Sequence, residues 1–349
     1  MLARLLSEYS RAGGPGVRAA AAALTALLIC LAAGQPVIAW LRARKLGEKT
    51  EKTPIDDPAL RARIAAKSGT PTMGGVLILG ALVVSCALWA DLAETGVLVA
   101  LGTALALAVL GAVDDLQKLH GTGRGLSSLR KLSWQILIGL GAGLALAGHV
   151  RGTAAAGALL SPPWALLGRA AVPALAVWGA VFVAGMSNAT NVTDGMDGLL
   201  SGLAALASTA LAAGCLIAHR AGMAQAAEPA VFCAAMAGAC AGFLCHNRHP
   251  ARVFMGDTGA LAIGGGLAAA AVAARLEALL LVVGAVFVIE LTSSGLQIAS
   301  IRLLHRRVLP IAPVHHVFQR RGAAEPRIVL GFHLCGLAAA LAGLGLLWF

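Results

Sequence analysis

Charge is scarce in this sequence. Asp, Glu, Lys and Arg make up 12% of its 349 residues, about half the ~25% of a soluble globular domain. With 58% hydrophobic residues and a mean hydropathy of +0.82, that scarcity excludes a water-soluble fold and indicates a polytopic membrane protein. Aromatics are also scarce, at 4%, so Ala, Leu, Gly and Val fill the apolar runs. In lipid, small residues let helices approach closely, because van der Waals packing replaces the hydrophobic drive. The seven cysteines include no C-x-x-C pair, which argues against a disulfide framework and a Cys-based zinc site. The glycine-rich string KSGTPTMGG, 67–75, lacks the GxxxxGK[ST] spacing of a P-loop. The apolar run from Val17 to Trp40 is longer than a signal h-region and is followed by Arg42, Arg44 and Lys45, so it reads as a retained span.

Ten runs remain that approach the roughly 20 apolar residues a span needs: 18–40, 71–90, 96–113, 132–149, 171–188, 196–218, 229–246, 258–274, 278–301 and 328–348. Lipid offers no partner to open strand edges, so these are helices. The expected fold is an all-α integral membrane protein of about ten transmembrane helices, one polytopic domain over 1–349. Both termini then fall on the outer side.

Alternation places the loops 41–70, 114–131, 189–195, 247–257 and 302–327 on one side. The net charge of +11 would suggest a nucleic-acid partner on a soluble protein. Here 20 of the 27 Lys and Arg lie in those five loops, and the rest are Arg4, Arg11, Arg18, Arg151, Arg169, Arg220 and Arg275. That asymmetry makes the loop side cytoplasmic and points to the bilayer and anionic ligands, with no nucleic acid.

Every acidic motif falls on the same side. Asn188, Asn191, Asp194 and Asp197 crowd twelve residues between two apolar runs, where buried charge is costly. Asp194 and Asp197, three apart, share a helix face if the following span has begun; helix capping accounts for one of them. The adjacent carboxylates Asp114 and Asp115 repel unless a cation or a shared proton lies between them. Lys118 follows one helical turn later, within reach of either acid. Asp257, in FMGDTG, is a cap or a metal ligand for the next span. Phe254 is core packing or a stacking platform for a base. Lys67, Thr70 and Thr72 are candidates for holding a phosphate or nucleoside, with Pro71 starting the second span. Lys131 adds a cation to the second loop. His315 and His316, beside Pro313 in a basic loop, suit phosphate contacts better than zinc, since no Cys accompanies them. Glu290 is an intramembrane acid and a functional suspect, or a partner to a neighbouring span. A site of this kind, rich in oxygen ligands beside phosphates, suits Mg²⁺.

With KSGTPTMGG, GAVDDLQK, SNATNVTDGMDGL, FMGDTGALAIGG and APVHH…EPR in order, the chain resembles the polyprenyl-phosphate N-acetylhexosamine-1-phosphate transferases, and within them the phospho-N-acetylmuramoyl-pentapeptide transferases. The resemblance spans about residues 20–348. It implies ten membrane helices, a cytoplasmic active site in the bacterial inner membrane, and a Mg²⁺-dependent reaction. UDP-MurNAc-pentapeptide and undecaprenyl phosphate would give lipid I and UMP. It implies that Asp114 and Asp115 are the catalytic pair and Asp257 the magnesium ligand. Lys67, Thr72, Asn191, Asp194, Asp197 and Phe254 would line the nucleotide pocket, and Lys118, Lys131, His315 and His316 would be its charged residues. Such proteins are often homodimers.

One stretch departs from the family pattern. Where it has three histidines, an aromatic and Glu, this chain reads His315-His316-Val317-Phe318-Gln319, and Gly322-Ala-Ala replaces a Gly-Trp. That keeps a UDP-GlcNAc:polyprenyl-phosphate transferase in view as the alternative. An anion transporter is a more distant one, because its acids belong near the bilayer midplane.

Overall fold

A computed structural model describes residues 14–44, 46, 67, 69–120, 125–151, 167–168 and 170–347. The expected membrane-side features at 1–13, at 47–66 within the first loop, and Arg124 and Arg169 lie outside the described residues. The described chain is all-helical: α1 Pro15–Ala43, α2 Gly75–Trp89, α3 Thr95–His120, α4 Ser128–Arg151, α5 Ala171–Thr193 and α6 Leu199–Arg220 come first. There follow α7 Ala227–Asn247, α8 Gly256–Ala274, α9 Glu277–Val283, α10 Ala285–Leu304, α11 Val314–Arg320 and α12 Glu325–Gly345.

Among the described residues nine helices are long and apolar enough to cross a membrane, and α2, at 15 residues, is a shorter apolar one. They coincide with the ten expected runs, with three corrections. The run 278–301 is two helices, broken at Gly284 between α9 and α10. The second span begins at Gly75; Pro71 instead pairs backbone to backbone with the segment before α8. The third correction is the reach of the helices: α3 runs on to His120 and α5 to Thr193, so Asp114, Asp115 and Asn191 stand within helices, near their C-terminal ends, rather than in loops.

Helix α8 is the axis of the bundle. Its sequence, GDTGALAIGGGLAAAAVAA, is almost entirely Gly and Ala, and 94% of its apolar window is buried, against 28% for α1 and α12. Small side chains permit that central position, because neighbouring backbones can close onto it. α3 packs against it most extensively, with α5 alongside. Gly111 marks a close backbone approach of α3 to α8: a Cβ there would overlap the Asp257 carbonyl. The outer helices turn leucines such as Leu24, Leu137, Leu296 and Leu334 outward, as lipid-facing surfaces do.

At the opposite end from the acidic motifs, α1 and α7 are joined by a buried bidentate pair, Arg18 to Glu228, at 2.6 and 3.1 Å. Glu228 also accepts the Asp91 N–H at 2.8 Å. The motif-bearing ends gather elsewhere: the C-termini of α3, α5 and α7 meet the N-termini of α4, α6, α8 and α12.

Candidate active site

A helix N-terminus leaves its first N–H groups without intrahelical partners. For α8 two of them are taken by Asp115, from another helix. Its Oδ1 accepts the Asp257 N–H at 3.1 Å, and its Oδ2 accepts the Thr258 N–H at 3.0 Å and the Thr258 hydroxyl at 2.7 Å. Asp115 is thus a cap supplied in trans, and it welds the end of α3 to the start of α8. The burial of its carboxylate, 4% exposed, is offset by those three donors.

That junction sets Asp257 opposite Asp114. Asp257 Oδ1 accepts from the Asn191 side chain at 2.9 Å, while Oδ2 meets Lys118 at 3.1 Å and Lys131 more closely. Asp114 accepts the Leu126 N–H at 2.5 Å through one oxygen; the other meets Lys118 at 2.9 Å and Lys131 at 3.4 Å. Of the two acids that sequence placed within reach of Lys118, the contact is with Asp114, the i, i+4 partner. Lys131 Nζ also lies 3.4 Å from Asn191 Oδ1, so three oxygens, from Asp114, Asn191 and Asp257, converge on one ammonium. A set of oxygen donors from two carboxylates and a carboxamide is what a hard divalent cation takes. These residues fit Mg²⁺, with Lys131 yielding its place.

A second cluster borders it. Lys67 Nζ bridges Asp197 at 2.7 Å and Glu325 at 2.6 Å. The other Asp197 oxygen receives His249 Nδ1 at 3.0 Å and the Ala251 N–H at 3.1 Å, and Glu325 accepts the Asp197 N–H at 2.8 Å. These residues line a cavity of about 360 Å³ with Thr70, Phe254 and Pro326. The backbone explains the gathering. Phe254 donates to the Pro71 carbonyl at 2.8 Å, and Gly74 and Gly75 donate to the carbonyls of Phe254 and Met255 at 2.8 and 2.9 Å. The Pro71–Gly75 segment is thereby zipped to the residues preceding Asp257. Burial alone would lower the Lys67 pKa from 10.5, but Asp197 and Glu325 raise it. The donor atoms of Asp197, His249 and Glu325 lie within 4.8 Å of one another. Like the Asp114–Asp257 set, this cluster already holds an ammonium; because its residues line the cavity, it is read as the floor of a pocket.

Several expected residues fall elsewhere. Asp194 and Asp197 do not share a helix face: Asp194 is the C-cap of α5, and α6 begins at Leu199 after Gly198 turns through a positive φ of 79°. Asn188 donates to Gln135 at 2.9 Å and to the Ala184 carbonyl at 2.8 Å, joining α5 to α4 rather than facing the acids. Thr72 is buried at the Gly256 turn, and its N–H donates to the Leu46 carbonyl at 2.8 Å. His315 is fully buried against Glu290. His316 pairs with Gln319 at 2.8 Å through Nδ1, and the His315 and His316 rings meet edge to face with centroids 4.2 Å apart. Burial lowers the His316 pKa from 6.5, and the neighbouring His315 lowers it further.

Glu325 and His249 belong to the site and stand out little in sequence. Glu325 sits in the EPR string; His249 has no signal beyond proximity to FMGDTG.

The family model described as glycosyl transferase family 4 matches residues 97–275, and the phospho-N-acetylmuramoyl-pentapeptide-transferase signature 1 matches residues 67–79. The first contains Asp114, Asp115, Asn191, Asp197 and Asp257; the second begins at Lys67 and ends inside α2. A bundle of apolar helices with two carboxylates, two lysines and an asparagine converging at one end is the setting such chemistry requires, and the chain belongs to the polyprenyl-phosphate sugar-1-phosphate transferases of glycosyl transferase family 4.

Proposed function

We propose that the chain transfers phospho-N-acetylmuramoyl-pentapeptide from UDP-MurNAc-pentapeptide to undecaprenyl phosphate, releasing UMP and forming lipid I. The work would be done at the cytoplasmic face of the bacterial inner membrane. One observation carries the reading: Asp114 and Asp257, bridged by Lys118 and Lys131, stand beside a cavity lined by Lys67 and Phe254. The signature at 67–79 supports the muramoyl-pentapeptide branch.

The reaction exchanges one pyrophosphate linkage for another, so little free energy separates its two sides. An oxygen of the acceptor phosphate attacks the phosphorus attached to the sugar, and the bond to UMP breaks. Catalysis then consists of alignment and charge neutralisation. Asp114, with one oxygen fixed by the Leu126 N–H, orients the acceptor phosphate and takes its residual proton. Lys118 and Lys131 lie against both acids and neutralise phosphate oxygens as these enter. Asp115 holds Asp257 in place. Asp257, with Asn191 beside it, offers the oxygens for Mg²⁺, which when bound would supply Lewis-acid polarisation of the diphosphate. Phe254 offers its ring to the uracil and Lys67 an ammonium to its polar edge. Asp194, Thr70 and Thr72 flank this nucleotide side, while His315 and His316 belong to the sugar end. The acids lie at helix ends, at membrane-boundary depth, which suits an acceptor whose tail stays in lipid and disfavours a midplane transport site.

A UDP-GlcNAc transferase is the second reading, favoured by one observation: His316 pairs with the neutral Gln319 where the family pattern has an acid. UMP release by detergent-purified protein with undecaprenyl phosphate and Mg²⁺ separates them. Turnover with UDP-MurNAc-pentapeptide alone is the expected result; turnover with UDP-GlcNAc alone moves the chain to the sister branch.

A further inference from the structure

Glu290 is a carboxylate at 0% exposure inside a membrane-spanning helix, and nothing above uses it. An acid in that position is costly to keep. Its two oxygens both address one residue: Oε1 accepts the His315 backbone N–H at 3.2 Å, and Oε2 lies 3.1 Å from His315 Nδ1. The backbone N–H fixes Oε1 as an acceptor, and an ionised Glu290 offers Oε2 as a second one, to Nδ1–H. In the neutral ring Nδ1 then carries the proton and Nε2 keeps the lone pair.

Nε2 is buried and meets no hydrogen-bond partner. A buried polar atom left unpaired costs about 1–3 kcal/mol. It points at Gly195, where a Cβ would overlap it. Gly195 itself is exposed, in the turn between Asp194 and Asp197. The lone pair therefore lies one residue beneath the surface of the turn that carries Asp197 into the nucleotide cavity. The absence of a side chain at 195 is what lets the ring come so close.

We infer that Glu290 is a positioning residue: it fixes His315 in the Nδ1–H tautomer, so that Nε2 presents a hydrogen-bond acceptor at Gly195 to a hydroxyl or amide N–H of the nucleotide sugar. The inference rests on the proposed function in taking the donor substrate to lie over this turn. Glu290→Gln tests it with little change of volume. The Gln carbonyl still accepts the His315 N–H, but its NH₂ donates to Nδ1, which drives the proton to Nε2 and turns the acceptor into a donor.

The experiment pairs two readouts on full-length protein in detergent. With histidine ring nitrogens labelled, the ¹⁵N spectra of wild type and Glu290→Gln should differ by one tautomer exchange. In the UMP-release assay the KM for the nucleotide sugar should rise about 10- to 100-fold, as expected for one lost buried hydrogen bond, while the KM for polyprenyl phosphate stays within about twofold. Gly195→Ala, which leaves Glu290 intact, should move the same KM by crowding Nε2. An unchanged tautomer in Glu290→Gln overturns the positioning role. A changed tautomer with an unchanged nucleotide-sugar KM overturns the acceptor role. Wild-type protein without turnover on either sugar nucleotide would strike the proposed function instead, and the spectra would still decide whether Glu290 sets the ring.

Discussion

Thr258 donates twice to one oxygen of Asp115, through its N–H at 3.0 Å and its hydroxyl at 2.7 Å. The relationship divides the adjacent acids 114 and 115 into different trades. Asp114 faces the lysines, whereas Asp115 is consumed as the cap of α8. Asp115→Ala should therefore destabilise the protein by about 1–3 kcal/mol, the cost of orphaned buried donors, and lose activity with it. Asp114→Ala leaves a single backbone donor, that of Leu126, unpaired in the same region. Thermal unfolding of the two variants side by side checks this; equal stability would remove the capping role.

Asp257→Ala should reduce magnesium-dependent UMP release by at least about 10²-fold, the scale for losing one main electrostatic group. The helical circular dichroism should be unchanged, because the Asp257 backbone, not its side chain, joins the cap. Near-normal turnover would sink the assignment of Asp257 to the metal.

Lys67→Met removes the ammonium between Asp197 and Glu325. Both acids are nearly buried, while Lys67 is 24% exposed, so solvent screens part of the cost, and about 1–3 kcal/mol is expected. The raised Lys67 pKa means this stability is fully present below 10.5 and is lost as pH climbs past the folded value. The difference in denaturation midpoint between wild type and variant should therefore shrink at strongly alkaline pH. A constant difference would count against the pairing.

His316 titrates in the opposite sense. Its folded pKa lies below 6.5 because burial and His315 disfavour the imidazolium. The unfolded chain then binds the proton more readily, so stability falls as pH drops below about 6.5. Gln319→Glu places a carboxylate against Nδ1 and should raise that pKa, flattening the acid limb. Parallel acid-unfolding curves in both proteins would argue that His316 does not report on position 319.

Lys118 and Asp114 were legible as a pair because four residues on one helix face need only local geometry. Asp257 at the start of α8 was legible for the same reason. Asp194 and Asp197 would share a helix face only if α6 had already begun; the positive φ of Gly198, in an Asp-Gly pair that favours turns, delays α6 to Leu199. Asn188, grouped with the acids by proximity in sequence, is turned toward Gln135 by the packing of α5 on α4. Glu325 and His249 reach Asp197 from 128 and 52 residues away, a distance no local pattern reports.

The sequence by itself determined the class of molecule. Low charge and ten apolar runs are read from transfer free energies summed over windows, and these need no knowledge of neighbours. It also determined which strings carry chemistry, because acids beside lipid are too costly to be incidental. Tertiary structure decided the division of labour among them. Which acid caps, which faces a lysine, and which histidine nitrogen is left bare depend on how Gly111 lets α3 settle on α8 and how Glu290 meets α11. Hydrogen bonds are short-ranged and directional, so those roles are fixed when separate helices close to within about 3 Å.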